Sequence, residues 1–213
     1  MIESWLAEPA TPEVKKALGR LASEEDIQHL AVMPDVHLSV HFCIGTVVAS
    51  SSRLYPQAVG GDIGCGMMAL AFDVSSEDLF ARPNQAEILL KALGRLIPKN
   101  RHSSLNLPNS LPSELDPKDL SDGRLAKRVL RDARVQLGTL GRGNHFVELQ
   151  RDEQDRLWLM LHSGSRAVGQ RLSNFHLERC QTARHQLLSL EAEGARGRAY
   201  LNDVGWARRY AHL

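Results

Sequence analysis

Four short segments of this 213-residue chain hold most of the side chains able to bind a metal ion or a phosphate. They are Met33-Pro34-Asp35-Val36-His37, Gly60-Gly61-Asp62-Ile63-Gly64-Cys65-Gly66-Met67, Gly141-Arg142-Gly143-Asn144-His145-Phe146 and Leu161-His162-Ser163-Gly164-Ser165-Arg166. In the second, Asp62 and Cys65 stand three residues apart among glycines. Glycine admits backbone conformations closed to other residues, so the chain can turn tightly and aim both side chains at one point. A carboxylate beside a thiolate is a poor structural choice unless a cation lies between them. The plainer alternative is a tight turn with a solvated aspartate and an inert, buried cysteine. His145 and His162 each sit at the edge of a predicted strand beside a glycine-rich turn, 17 residues apart, as neighbouring strands of a hairpin would place them. Asp, Cys and two His together form a mixed O/S/N donor set suited to a transition metal such as manganese or zinc, and a thiolate sulfur can bridge two ions. Residues 138–143 carry three glycines but not a dinucleotide fingerprint, since the spacing is wrong and the stretch follows a helix. An exposed turn offering amide N–H groups to an anion is expected there. Arg166, after Ser-Gly-Ser, presents a guanidinium to a phosphate or forms a surface salt bridge.

The elements that must hold these residues follow from patterning. Thr11 is placed to cap a helix that begins at Pro12, and a second short helix is expected from Ser23, with Glu24, Glu25 and Asp26 in its first turn. Short apolar runs at residues 30–33, 44–49 and 67–72 predict buried strands. Strands at 145–149 and 157–161 flank a charged hairpin turn at 151–156. Residues 98–122, with four prolines and little periodicity, read as a surface loop. Leu125, Val129, Leu130, Ala133 and Leu137 share one stripe of a helix over 124–137 that Gly138 should stop. Another helix is expected over about 171–193, closed by Gly194, and a last one over 200–213. The fold class is α+β: mixed sheets with flanking helices.

Composition narrows the classes without choosing among them. Apolar residues make up 43% and charged residues 24%, ordinary for a globular protein, and the formal net charge is +1. There is no global polyanion-binding signature, so a nucleotide or nucleic acid would be held by local charge, metal or backbone donors. Three scattered cysteines (Cys43, Cys65 and Cys180) do not make a disulfide framework. The first residues lack a signal-peptide pattern, and no run approaches the roughly 18 apolar residues that span a bilayer. A reduced, cytoplasmic protein without membrane contact is expected.

Taken together and in order, Met-Pro-Asp-Val-His, Asp-Ile-Gly-Cys-Gly-Met, Gly-Thr-Leu-Gly-x-Gly-Asn-His-Phe and His-Ser-Gly-Ser-Arg resemble the RtcB family of RNA-splicing ligases, from about Leu30 to the end of the chain. The resemblance implies an RtcB-like fold and a GTP- and Mn2+-dependent ligase. Such an enzyme joins RNA ends bearing a 2′,3′-cyclic phosphate or 3′-phosphate to 5′-hydroxyl ends, in tRNA halves or broken RNA. By motif it makes Asp62 and Cys65 metal ligands, with Cys65 bridging two ions, His145 completing one site and His162 belonging to the other. Asn144, His145, Phe146, Val147 and Glu148 would contact the guanine nucleotide, and Arg166 and His37 are candidates for phosphate or RNA contact. An archease-like activator is a further partner the resemblance allows.

The departures are informative too. Leu38-Ser39-Val40-His41-Phe42-Cys43 follows His37 where the family has a glycine-rich stretch, Arg142 replaces a usual glycine, and Ala167 replaces another. They suggest a divergent paralogue, in which His41 and Cys43 either add metal affinity or simply pack. The family's third metal histidine and its guanylylated histidine lie downstream of the segment matching residues 200–211. The resemblance therefore implies an incomplete RtcB-like domain over residues 1–213, with its C-terminal part missing, its second metal site incomplete and no guanylylated histidine within it. A non-ligating paralogue that binds metal or RNA ends, and a metal-dependent phosphodiesterase, are the competing expectations.

Overall fold

The computed structural model describes residues 2–39, 42–103, 110–182 and 187–213. It has an α+β architecture of three small three-stranded sheets and seven α-helices among the described residues. Two compact units share it: residues 1–60 with 173–201, and residues 61–172 with 202–213. Helices α6 (Arg166–Leu177) and α7 (Ala195–Ala211) each contribute residues to both. No helix among the described residues is long and apolar enough to cross a membrane.

The first unit opens with β1 (Ile2–Ser4) and α1 (Pro12–Ala22), and Thr11 Oγ1 caps the helix by accepting from the Val14 amide at 3.3 Å. Val14 and Leu18 of α1 pack with Val32 and Cys43, so Cys43 is a core residue. His41 lies outside the described residues. The helix expected from Ser23 does not form. Ser23 instead ends α1, its amide reaching back to the Gly19 and Arg20 carbonyls, and β2 (Ile27–His37) starts at once. Two contacts win over the local acid-rich pattern. Ile27 and Leu30 enter an apolar cluster with Leu21, Phe42, Tyr55 and Leu187. The Asp26 carboxylate accepts from Ser51 Oγ at 2.8 Å, from the Ser52 amide at 2.9 Å and hydroxyl at 2.7 Å, and from the Arg53 amide at 3.1 Å. Burial would raise the Asp26 carboxyl, but those donors outweigh it and hold its pKa below the ordinary value. β2 pairs in parallel with β1 and antiparallel with β3 (Ile44–Ser50).

The helix expected over 171–193 is also corrected. α6 starts earlier and stops at Leu177, and Gln181–Thr182 (β8) and Leu188–Glu191 (β9) are strands. β9 pairs with β4 (Arg53–Leu54) on one side and β8 on the other. Ser189 and Leu190 are both buried there, and pairing overrides the helix propensity of the Leu- and Glu-rich stretch. α2 (Pro56–Val59) completes this unit.

The second unit is built on an antiparallel sheet in the order β5 (Gly66–Ser75), β7 (Arg156–Ser163), β6 (Phe146–Arg151). The expected hairpin joins β6 to β7. Asp152 organises its turn by accepting from the amides of Gln154 and Arg156 and from the Trp158 indole, and Asp155 takes a positive φ. β5 forms where predicted but is not buried: Met67 and Met68 are 61% and 60% exposed. It is an edge strand, and neither α3 (Ser76–Phe80) nor α4 (Gln85–Leu96) covers those residues. Within 98–122, two 3-10 turns form at Ser113–Leu115 and Pro117–Asp119, while residues 104–109 lie outside the described ones. α5 (Gly123–Gln136) carries the predicted stripe, burying Leu125, Val129 and Ala133, and Gly138 takes the positive φ of a helix stop. Trp206 and Tyr210 of α7 stack at 5.9 Å in this core, and the Tyr210 hydroxyl donates to the Ala133 carbonyl at 3.2 Å.

Candidate metal centre

The loop before β5 does what its glycines allow. Gly64 takes φ +76, the Cys65 amide returns to the Asp62 carbonyl at 3.1 Å, and Asp62 and Cys65 come to share one surface. The turn also needs Gly64 to be small, since a Cβ there would lie 3.0 Å from that of Ala211. Burial pushes the Cys65 thiol up to about 11, and the hydrogen bond and charge of Asp62 push the same way. Without a cation this cysteine therefore keeps its proton at neutral pH.

The β6–β7 hairpin delivers the histidines. Phe146 lies opposite His162, so His145, one residue before β6, stands next to His162, with ring centroids 5.5 Å apart. His145 Nε2 is 2.8 Å from Asp62 Oδ2 and 3.9 Å from Cys65 Sγ. The ligand atoms of Asp62, Cys65 and His145 all lie within 4.8 Å of one another. His162 stands outside that group of three and meets it through the sulfur, with Nε2 at 2.9 Å from Cys65 Sγ. Carboxylate, thiol and imidazole converging in this way fit a divalent transition metal, and the sulfur is placed between two histidines.

Several residues around the cluster were not singled out as site residues by sequence reasoning. The Leu140 carbonyl is 3.1 Å from His145 Nδ1, which orients the ring and directs Nε2 at Asp62. The same carbonyl accepts from Ser163 Oγ at 2.8 Å, and that hydroxyl accepts from Arg166 Nη1 at 2.8 Å. Arg166 in turn lies over the Tyr210 ring, 5.2 Å from its centroid. Gly164 is required by close approach, since a Cβ there would stand 2.3 Å from Asp62 Oδ1. Gly141 is under the same constraint from His145 Nδ1, also at 2.3 Å. Leu140, Gly141, Ser163 and Gly164 lay within motifs already marked, but none was marked for these contacts. A backbone carbonyl leaves no trace in a sequence, and Tyr210 is 44 residues from Arg166.

The other expected site residues are distributed as follows. Asn144 is exposed, the Phe146 ring packs edge-on against His162 at 5.5 Å, Val147 pairs with Leu161 across the hairpin, and Glu148 is exposed and accepts from the Gln150 amide group. His37 ends β2 in the first unit, its Nδ1 2.7 Å from the Asp35 carbonyl. In the expected anion-binding turn, the amides of Thr139, Leu140 and Gly141 are taken by the carbonyls of Gln136, Pro98 and Lys99. Buried amides are satisfied by the chain itself wherever it can reach them.

The family model described as tRNA-splicing ligase RtcB matches residues 18–213. RNA-splicing ligase RtcB of Escherichia coli strain K12 is 33% identical over 210 aligned residues, covering 87% of this chain and 50% of that protein. RNA-splicing ligase RtcB2 of E. coli strain ATCC 25922 is 33% identical over 170 residues, covering 73% of this chain and 40% of the relative. The tRNA-splicing ligase RtcB of Pyrobaculum aerophilum is 27% identical over 194, covering 68% and 39%. The chain spans about half the length of the first of these relatives and less of the others. With its motifs in family order, its α+β fold and a match over nearly all its residues, the chain belongs to the RtcB family of tRNA-splicing ligases.

Proposed function

We propose that this chain provides the metal-holding part of a GTP- and Mn2+-dependent RNA ligase, one that joins 2′,3′-cyclic phosphate or 3′-phosphate ends to 5′-hydroxyl ends. The observation that carries this reading is the convergence of Asp62, Cys65 and His145 ligand atoms within 4.8 Å, with His162 reaching the same sulfur. Asp62, Cys65 and His145 would hold one ion, and Cys65 with His162 would serve a second. Bound there, the cations supply Lewis acidity and neutralise triphosphate charge.

The chain's own residues have separate tasks. Leu140 holds the His145 ring in one tautomer. Gly164 lets the carboxylate of Asp62 approach. Residues 144–148 run beside the cluster along the start of β6 and are proposed to contact the guanine nucleotide. Arg166, held by Ser163 and the Tyr210 ring, keeps its charge close to the histidines and is proposed to meet a phosphate. His37 is proposed as an RNA contact in the first unit. The O/S/N donor set suits manganese and zinc alike, and manganese is proposed on family membership.

Calorimetric titration of the full chain with Mn2+ tests the reading. Binding should be seen, and Asp62→Asn, Cys65→Ala and Gly164→Ala should each weaken it by roughly 10- to 100-fold. Unchanged affinity in all three would remove the metal assignment. In parallel, incubation with GTP and Mn2+ followed by intact-mass measurement should add no GMP, because the matched motifs contain no guanylylated histidine. A gain of one GMP would place a nucleophile within these 213 residues.

A further inference from the structure

The turn that replaces the expected helix at Ser23 leaves one carboxylate oxygen without a partner. Glu24 is 6% exposed, and its Oε1 has no hydrogen-bond partner. The Tyr55 hydroxyl is in the same position: the residue is 6% exposed, and the hydroxyl lies near the Asp26 carboxylate without a well-formed hydrogen bond. Both residues line one cleft of about 420 Å³ in the first unit, whose wall also carries Glu25, Asp26, Arg53 and Gln181. A buried carboxylate oxygen without a donor is costly and uncommon in folded proteins, and a buried phenol normally finds a partner. Two such acceptors on the wall of one cleft call for a ligand that brings donors.

The chemistry of the wall says what kind of donor. Asp26 is already saturated by Ser51, Ser52 and the Arg53 amide, so it supplies negative field rather than a bonding site. Arg53 donates through Nη1 to Ser189 Oγ at 2.9 Å. Three carboxylates (Glu24, Glu25 and Asp26) against one guanidinium leave the lining with a net charge of −2, from −3 and +1. That excludes an anion. A bare divalent ion is a poor fit as well. Among the described residues the three-ligand convergence is Asp62, Cys65 and His145, so these three acids do not close on one point. A primary ammonium fits better, because it carries positive charge on three N–H donors that reach acceptors lying in different directions. We propose that this cleft binds the primary ammonium group of an organic amine, with Glu24 as its counter-ion and Tyr55 as a second acceptor.

Isothermal titration of the full chain with putrescine tests it, with 1,4-butanediol as the neutral match in length. Putrescine should bind and the diol should not. Glu24→Gln should weaken putrescine binding by at least about tenfold, and Tyr55→Phe by less, while Cys65→Ala in the other unit should leave it unchanged. Should Glu24→Gln fail to fold, the exposed Gln181→Lys, which brings its own ammonium to the cleft, should abolish putrescine binding instead. Displacement of putrescine by Nα-acetyl-lysine methylamide would identify the natural amine as a partner's lysine, and no displacement would identify it as a free small amine. Equal affinity for putrescine in the wild-type and Glu24→Gln chains, equal binding of the diol, or no binding of putrescine would overturn the proposal.

Discussion

In the metal-free chain, burial and the Asp62 carboxylate keep the Cys65 thiol protonated well past neutrality, with its pKa at about 11. A bound divalent cation needs the thiolate, so binding at neutral pH must release a proton. The sign follows directly: affinity rises with pH as long as the pH is below the thiol value. The rise should be about tenfold per pH unit between about pH 7 and 9. Metal titrations across that range check the slope, and a flat profile would show that Cys65 is not a ligand. Cys65→Ser should lower the affinity and flatten the profile together. At this scale the candidate donors were legible, because ligand chemistry belongs to side-chain type. Their supports were only partly so. The Leu140 carbonyl that orients His145 is a backbone atom, and every residue has one.

Helix α5 shows how far an element can be read from its own residues. Its apolar stripe, its stop at Gly138 and its buried Leu125, Val129 and Ala133 agree with the pattern. The Asp122 carboxylate completes it by accepting from the Arg124 and Leu125 amides at 2.8 and 2.9 Å. Asp122→Ala should cost about 1 kcal/mol of unfolding free energy, read as a lower urea midpoint, whereas Asp122→Asn should cost much less. Loss of nothing in the alanine variant would mean that the cap is idle. The two elements that sequence reasoning misassigned share one physical reason. Glu24-Glu25-Asp26 and Leu188-Ser189-Leu190 have local preferences that distant partners overrule, residues 51–53 in one case and β4 in the other. Helix and strand propensities are weak compared with a set of hydrogen bonds and a buried face.

For the molecule as a whole, the second unit is unevenly covered. β5 turns Met67, Met68, Leu70 and Val74 outward, and α4 exposes Ile88, Leu90 and Leu96 with none of its side chains buried. Apolar surface on an edge strand invites association with other chains. Leu70→Lys should therefore reduce aggregation and the fluorescence of a bound hydrophobic dye, while Mn2+ affinity stays within about twofold of wild type, because position 70 pairs with Leu159 and not with the ligands. An unchanged dye signal would show that this strand is not the exposed patch that matters. The apolar runs predicted the strand but not its exposure, which depends on what packs against it.

From its residues alone the chain determined the identity and order of its candidate metal donors, the tight turn at Asp62–Cys65 and the hairpin that sets His145 beside His162. Each of these is local: a spacing within one loop, or across one hairpin, is set by side-chain period and turn chemistry. Only the tertiary structure decided that residues 23–26 make a turn rather than a helix. It alone buries Glu24 beside Tyr55, and brings Asp62 to His145 and Leu140 to Ser163. Those outcomes join positions 23 to 83 residues apart. Their worth depends on loop closure and on everything packed around them, which no short stretch of sequence contains.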